Sequence, residues 1–497
     1  MDPGVPGRSW LALRVVLAVG LTVVYYAFSI ALGLGLLWAA WALVTETKSP
    51  SGYLVVALAV GGICVLWSVL PRWEPFAAPG PRLRPDDHPR LFRELRSVAE
   101  AVGQPMPEEV YLAADVNAGV TVAGGLLGLG GRRVMILGLP LMSALRVPEF
   151  RGVIAHEFGH FHGGETRLSP WIYRTQQAIA RAVRTLSEAG SVFRFLFIGY
   201  GKAFHRITQA VSRRQEILAD RLAAEVAGAP AMASGLRRTA VAATAYQAYF
   251  GNEVVPILSS GFRPPMAEGF RRFLGARPIA DSLDGFVEGL VKEERADPYD
   301  SHPPLRERLA ALGNPPSGRD AAAGAPTAAA LLDDIETLER RLLEAAYPGV
   351  AVPPPLPWSE AGARVYLPFW RARVREDRAL LEGLTADGLA AALSRPPGDP
   401  RWRRRAEAPA PQGPPKLAFV GAAAILLHLA DLGWALRCEP GREVALSRGD
   451  ETFFPFQEIG DVASGATTAA GWAERCRALE IDGLLLASAP TADPPPP

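Results

Sequence analysis

The chain has 497 residues, 49% of them apolar, and a formal net charge of +1. That length can hold two or three domains with a proper core, and the balanced charge removes any electrostatic case for nucleic-acid binding. With 3 cysteines in all there is no disulfide framework, which fits a catalytic unit in a reducing compartment.

From Val15 to Thr45 no residue is charged. As a helix this run would reach about 46 Å, well beyond the roughly 30 Å hydrocarbon core of a bilayer. It is too long for a secretory signal and too short for two spans, so it predicts one membrane helix over about 15–45. Tyr53–Leu70 predicts a second over about 53–70, with Trp67 and Trp73 near one end as interfacial anchors. Arg8 and Arg14 precede the first span and Arg72, Arg82, Arg84 and Arg90 follow the second, while the loop between holds Glu46 and Lys48. The positive-inside rule then puts both ends of this hairpin in the cytoplasm, with the bilayer as a partner.

Leu91, Phe92, Leu95, Val98 and Val102 recur at helical spacing, and Val110–Leu112 and Val134–Leu137 read as short strands, so the unit after the hairpin is α+β. Next comes His156-Glu157-Phe158-Gly159-His160. On a helix this HExxH pattern places two imidazoles on one face, ready to share a Zn²⁺, with Glu157 beside them as a general base. Gly159 costs the helix about 1 kcal/mol relative to Ala, which points to a close approach by another backbone or a substrate. The extended pattern HExxHxxGxxH fails, because Gly163 is in place but Thr166 stands where the third His belongs. Arg146, Glu149 and Arg151 before the motif and Glu165 and Arg167 after it keep its helix out of the membrane.

Val192–Phe204 is apolar but interrupted by Arg194 and Lys202; it reads either as a helix lying against the membrane or as protein core. Ser212–Ala224 reads as a helix with Glu216 and Asp220 four residues apart on one face, where like charges repel. A metal at Glu216 would relieve that repulsion, with Asp220 accepting the free N–H of a ligating imidazole. The alternative is a solvated acidic face among Arg213, Arg214 and Arg221.

These blocks resemble a family, the membrane-anchored gluzincins that include HtpX-like bacterial proteases and CAAX prenyl endopeptidases. Val153–His160 is similar to that family's active-site helix, Glu216-Ile217-Leu218-Ala219-Asp220 to its ExxAD block, and Ser301-His302-Pro303-Pro304-Leu305, followed by Arg306 and Arg308, to the HPP segment that closes its catalytic domain. Val116–Thr121 resembles the strand that pairs with extended substrate, which makes Asn117, Ala118 and Gly119 the candidate substrate strand. The resemblance covers about residues 76–313. It implies a mainly helical, zincin-like α+β catalytic domain holding one Zn²⁺ on His156, His160 and Glu216, with Asp220 behind the metal. Glu157 is then catalytic, and His302 is the candidate for stabilising the oxyanion. The Pro-Pro turn can equally be a rigid cap for a helix starting near Leu305.

Gly313–Ala328 reads as linker, which ends the protease domain at 76–313. Residues 314–415 read as Pro/Ala-rich linkers with amphipathic helices, among them a stripe of Leu331, Leu332, Ile335, Leu338 and Leu342. Leu417–Leu427 is apolar, but His428, Asp431 and Arg437 follow too soon for a span, so it reads as a buried soluble helix. Strands over Trp434–Phe456 and a helix around Trp472–Leu479 complete a small α/β module over 416–488, ahead of a disordered tail at 489–497. The functional expectation is a membrane-anchored zinc endopeptidase that acts on membrane or misfolded proteins. The alternatives are a prenyl-protein endopeptidase with the same catalytic residues, or a catalytically silent membrane scaffold.

Overall fold

The computed structural model describes residues 8–49, 51–70, 76–124, 131–160, 169–188, 194–293, 303–313, 324–394 and 416–490. The chain divides into two compact units, Met1–Ala243 with Gly285–Pro348, and Thr244–Asp284 with Gly349–Pro497.

The first unit begins with helices α1 (Arg8–Glu46) and α2 (Gly52–Val69), the hairpin expected from the sequence. Both are long and apolar enough to cross a membrane. They pack through glycine. A Cβ on Gly33 would lie 2.6 Å from Leu66 Cγ, and one on Gly62 would lie 2.8 Å from the Gly33 carbonyl oxygen, so neither position tolerates a side chain. The outward faces carry Val23, Trp38, Trp41, Val56, Ile63 and Trp67, all exposed, as lipid-facing residues would be.

A four-stranded sheet follows, in the order β1-β2-β4-β3, with β1 Arg82–Leu83, β2 Glu109–Ala113, β3 Ala118–Ala123 and β4 Arg132–Gly138. β2 and β4 run parallel, while β3 pairs antiparallel with β4 in the register Ala118↔Leu137 and Gly119↔Ile136. β3 is therefore an edge strand. Helix α3 (Pro89–Val102) buries Leu91, Phe92, Leu95, Val98 and Val102, the stripe legible in the sequence, and Gly103 caps it at φ 67°. Beyond the fully buried turn α4 (Leu139–Ala144) come α5 (Val147–Gly159), α6 (Ser169–Glu188), α7 (Arg194–Ala227) and α8 (Ala229–Tyr249).

Two sequence readings change here. Val192–Phe204 and Ser212–Ala224 are not separate helices, since both fall within α7, apart from Val192 and Phe193, which lie outside the described residues. The apolar start of α7 divides its faces: Phe197 and Phe204 are buried with Tyr25, Val65 and Val69 of the hairpin, whereas Phe195 and Leu196 are exposed. The second change concerns the linker. Residues 324–328 run beside the start of α5, with Val147 N–H donating to Pro326 O at 3.0 Å and Ala328 N–H to Leu145 O at 2.8 Å. Backbone pairing holds in place a segment whose composition reads as free linker.

In the second unit, helix Lys416–Asp431 is the buried centre of a core built with Trp370, Val374, Leu381, Leu389, Phe453, Ile459 and Trp472. A three-stranded antiparallel sheet over Ala435–Arg437, Ala445–Arg448 and Glu451–Phe453 and a helix over Ala469–Ala478 fall where the sequence suggests, and a further helix covers Pro455–Ser464. The compact division differs from the one read from composition: residues 349–394 share this core, and 244–284 cluster with it too. Cys438 and Cys476 are free thiols, both pushed up to about 12 by burial, and act as small apolar residues.

Because Leu426 is fully buried in that core, Leu426→Ala is expected to cost the second unit about 2–5 kcal/mol. A lipid-facing leucine would cost little. Thermal unfolding of detergent-solubilised protein distinguishes the two.

Candidate functional site

The helix bearing the HExxH residues is fixed from its first turn. Arg146 N–H donates to Glu149 Oε2 at 2.7 Å, closing a capping box, and Glu149 Oε1 accepts from Ser234 Oγ at 2.5 Å and Arg238 Nε at 2.9 Å, both on α8. Glu149 is buried, so its charge is balanced by Arg238 and by the positive end of α5.

At its C-terminal end α5 crosses α7. A Cβ on Gly159 would sit 3.1 Å from Ala219 Cα and Cβ, so the close backbone approach anticipated from Gly159 is the passage of α7. The crossing brings the face of α7 that carries Glu216 and Asp220 against His156 and His160. His156 Nε2 and His160 Nε2 are 3.2 Å apart, with the rings edge-on at 85°. Glu216 Oε2 lies 3.5 Å from His156 Nε2, and Glu216 Oε1 lies 3.6 Å from His160 Nε2. Ligand atoms around a tetrahedral metal with bonds of about 2.0–2.1 Å are separated by about 3.3–3.4 Å. Two imidazole nitrogens and a carboxylate at these spacings fit Zn²⁺ in number, type and separation. Glu157 completes the cluster, and its Oε2 would be 3.9 Å from a Cβ on Gly119, so it faces the edge strand β3.

Behind the imidazoles lies a charge relay. Asp220 Oδ1 is 2.8 Å from His156 Nδ1, the contact expected of a carboxylate that orients a ligating histidine. Arg308 clamps the same carboxylate with two bonds, Nε to Oδ2 at 2.8 Å and Nη2 to Oδ1 at 2.6 Å, while Nη2 stands 3.6 Å from Glu216 Oε2. Burial alone would lower the pKa of His156, but hydrogen bonds to Asp220 and Glu216 outweigh it and lift the value to about 9. Burial likewise raises Asp220, and the bonds from Arg308 and His156 overcome it, holding the carboxyl below its usual range. The local field favours positive charge at His156.

Arg308 follows the HPP block closely, and the sequence alone assigns it no role. It comes from the helix Leu305–Ala311, which starts at Leu305 with Pro304 at its N-cap, as the rigid-turn reading holds. Leu305 and Leu309 are buried on one face of that helix, and Arg308, three residues after Leu305, shares it. That spacing was the available signal. Ser301 and the oxyanion candidate His302 lie outside the described residues. Asn117 immediately precedes β3, and its carbonyl accepts from Gly138 N–H at 2.7 Å; Ala118 and Gly119 begin the strand.

Residues 85–315 match the pattern of peptidase family M48. The chain is similar to the protease HtpX homologues of Tropheryma whipplei strains Twist and TW08/27, each 26% identical over 277 residues that cover 52% of this chain and 83% of the relative. It is also similar to protease HtpX of Idiomarina loihiensis, 24% identical over 273 residues, 51% of this chain and 82% of that protein. No solved structure matches it.

Removing the clamp leaves Asp220 buried without its partner. Arg308→Ala and Asp220→Asn are each expected to weaken Zn²⁺ affinity by about 10–100-fold, measured by chelator competition, with Arg308→Lys recovering only part because it lacks the fork.

Proposed function

We propose that this chain, whose residues 85–315 match peptidase family M48 and which is similar to HtpX proteases, is a membrane-anchored zinc endopeptidase that cuts membrane or misfolded proteins in quality control. The observation that carries this reading is the convergence of His156, His160 and Glu216 beside Glu157, drawn from two helices that meet at Gly159. His156, His160 and Glu216 would hold the metal. Bound there, Zn²⁺ supplies a Lewis acid for the scissile carbonyl and an acidified water as nucleophile.

The remaining work falls to the chain's own side chains. Asp220, kept ionised by Arg308, accepts Nδ1–H of His156 and so leaves the Nε2 lone pair facing the metal. Glu157 takes the proton of the attacking water and passes it to the leaving amine. A substrate segment adds to β3 as a further strand, held by backbone bonds along Asn117, Ala118 and Gly119, which sets the peptide bond opposite Glu157 with little demand on sequence. His302, from the block beside Arg308, is the candidate donor to the oxyanion. The apolar hairpin anchors the unit, and the arginines flanking it support a cytoplasmic catalytic face.

The test is zinc content and casein cleavage by detergent-purified protein. Wild type should carry close to one Zn²⁺ per chain and cleave. Glu157→Gln should keep the metal and lose cleavage by about 10²–10⁴-fold, whereas Glu216→Ala should lose both. Undiminished zinc in Glu216→Ala would remove it from the ligand set, and a zinc-loaded wild type that cuts nothing would overturn the enzyme.

A further inference from the structure

Helix α7 runs antiparallel to α1 where the apolar surface of α1 ends. The Phe197 ring lies 6.4 Å from Phe28 and 6.1 Å from Tyr25, and one turn later Tyr200 donates to the carbonyl of Leu21. The candidate span of α1 begins at Val19, exposed apolar side chains continue back through Leu17 to Val16, and Arg14 precedes the run. Lys202 and Arg206 follow Tyr200 by about 3 and 9 Å along α7, which sets them beside the end of that apolar surface.

Phe195, Gly199, Lys202 and Arg206 fall on one stripe of α7, at i, i+4, i+7 and i+11, and all four are exposed. The stripe begins apolar, with Phe195 next to exposed Leu196, and turns basic where α1 leaves its apolar run. Arg194 lies over the Phe195 ring, 4.6 Å from its centroid. Positive charge is concentrated here. From Ser169 to Arg206 the chain sets Arg174, Arg181, Arg184, Arg194, Lys202 and Arg206 against Glu188 alone, although its overall net charge is +1. Exposed arginines on other helices pair with a carboxylate one turn away, as Arg272 does with Glu268, Arg340 with Glu344 and Arg364 with Glu360. Among the described residues no carboxylate pairs with Lys202 or Arg206. Their counter-charge comes from outside the chain.

Resting on the membrane anchoring proposed above, we propose that this stripe is a headgroup site for anionic phospholipid, in which Lys202 and Arg206 receive the phosphate and the acyl chains lie along Phe195 and Leu196. A free phosphate has nothing to place on the apolar part of the stripe, whereas a lipid fills both parts. Phosphatidylcholine carries the same phosphate with an ammonium that cancels its charge. The basic pair therefore discriminates by headgroup, favouring phosphatidylglycerol.

The experiment uses full-length protein, delipidated in a neutral detergent and offered equal amounts of phosphatidylglycerol and phosphatidylcholine, with bound lipid counted by native mass spectrometry. Each Lys or Arg close to an anionic lipid surface contributes about fivefold, so wild type is expected to retain phosphatidylglycerol in preference by about tenfold or more. Arg206→Gln should lose about fivefold of that preference, and Lys202→Gln with Arg206→Gln should bind the two lipids about equally, with an unchanged unfolding midpoint showing that each is folded. Lys202→Arg with Arg206→Lys should keep the preference, as should Arg340→Gln with Arg341→Gln, which removes the same charge from the helix Ile335–Ala346. Excess inorganic phosphate should leave the lipid bound; displacement would make the occupant a soluble anion and overturn the lipid site. Equal retention of both lipids by wild type, or a preference that survives the loss of both charges, would overturn the site and leave the anchor intact. Wild-type protein that stays in solution without detergent or lipid would overturn the anchor and the site together.

Discussion

The site depends on one crossing. Gly159 lets the backbone of α7 pass against α5 at Ala219, and every contact that defines the site spans that crossing: His156 with Glu216 and Asp220, and His160 with Glu216. A methyl group at 159 would meet Ala219 at 3.1 Å, tighter than ordinary contact, so the helices would part by a few tenths of an ångström. The approaches of Glu216 to the two imidazoles, 3.5 and 3.6 Å, would lengthen with that shift. The helical preference lost at Gly159, about 1 kcal/mol, is offset by what the close approach permits.

Around the crossing the charges are arranged in series. Glu216 and Asp220, four residues apart on one helix, would repel if left alone. Both instead face His156 and Arg308, Glu216 at 3.5 and 3.6 Å and Asp220 at 2.8 and 2.6 Å, and Glu216 faces His160 as well. Burial raises the stakes, since an ionised carboxylate away from water is costly unless its lone pairs are filled. Two bonds from Arg308 and one contact to His156 fill those of Asp220. The chain supplies these groups from positions far apart in sequence, and the helix that carries Arg308 is followed by residues 324–328, which pair beside the first turn of α5. The closing part of the domain thus supports both the charge relay and the start of the active helix.

Much of this was legible before any coordinates. HExxH and the later Glu216 and Asp220 carry their geometry in their spacing, because i and i+4 fall on one face of any helix, and a third ligand is demanded by zinc chemistry. The apolar hairpin follows from run length, whereas a strand at Val116–Thr121 comes only from the family resemblance. Arg308 was harder. A charged residue on a short helix is usually solvated, and only its sharing a face with Leu305 and Leu309 marks it as inward-facing. Composition gives a linker over Gly313–Ala328, and the pairing of its last residues beside α5 leaves no compositional trace. The core that joins 349–394 to helix Lys416–Asp431 is hidden for a related reason: Pro-rich stretches between elements look like domain boundaries even when the elements on either side share one interior.

The length of α7 connects these observations. Its apolar beginning packs on the hairpin and its acidic end faces the two imidazoles, so one continuous helix joins the two mechanically. A continuous helix transmits position because its hydrogen-bond ladder resists bending over a few turns. The aromatic residues at its start, Phe197, Tyr200 and Phe204, lock it to α1 through ring packing and the bond to Leu21, leaving the register of α7 against the hairpin little freedom to slide. The same helix then fixes where Glu216 meets His156 and His160. The spacing of Glu216 from the imidazoles and the seat of α7 on the hairpin are thereby set by a single element, so a change of register at Phe197 would move Glu216 out of reach of the imidazoles as surely as a change at Gly159 would.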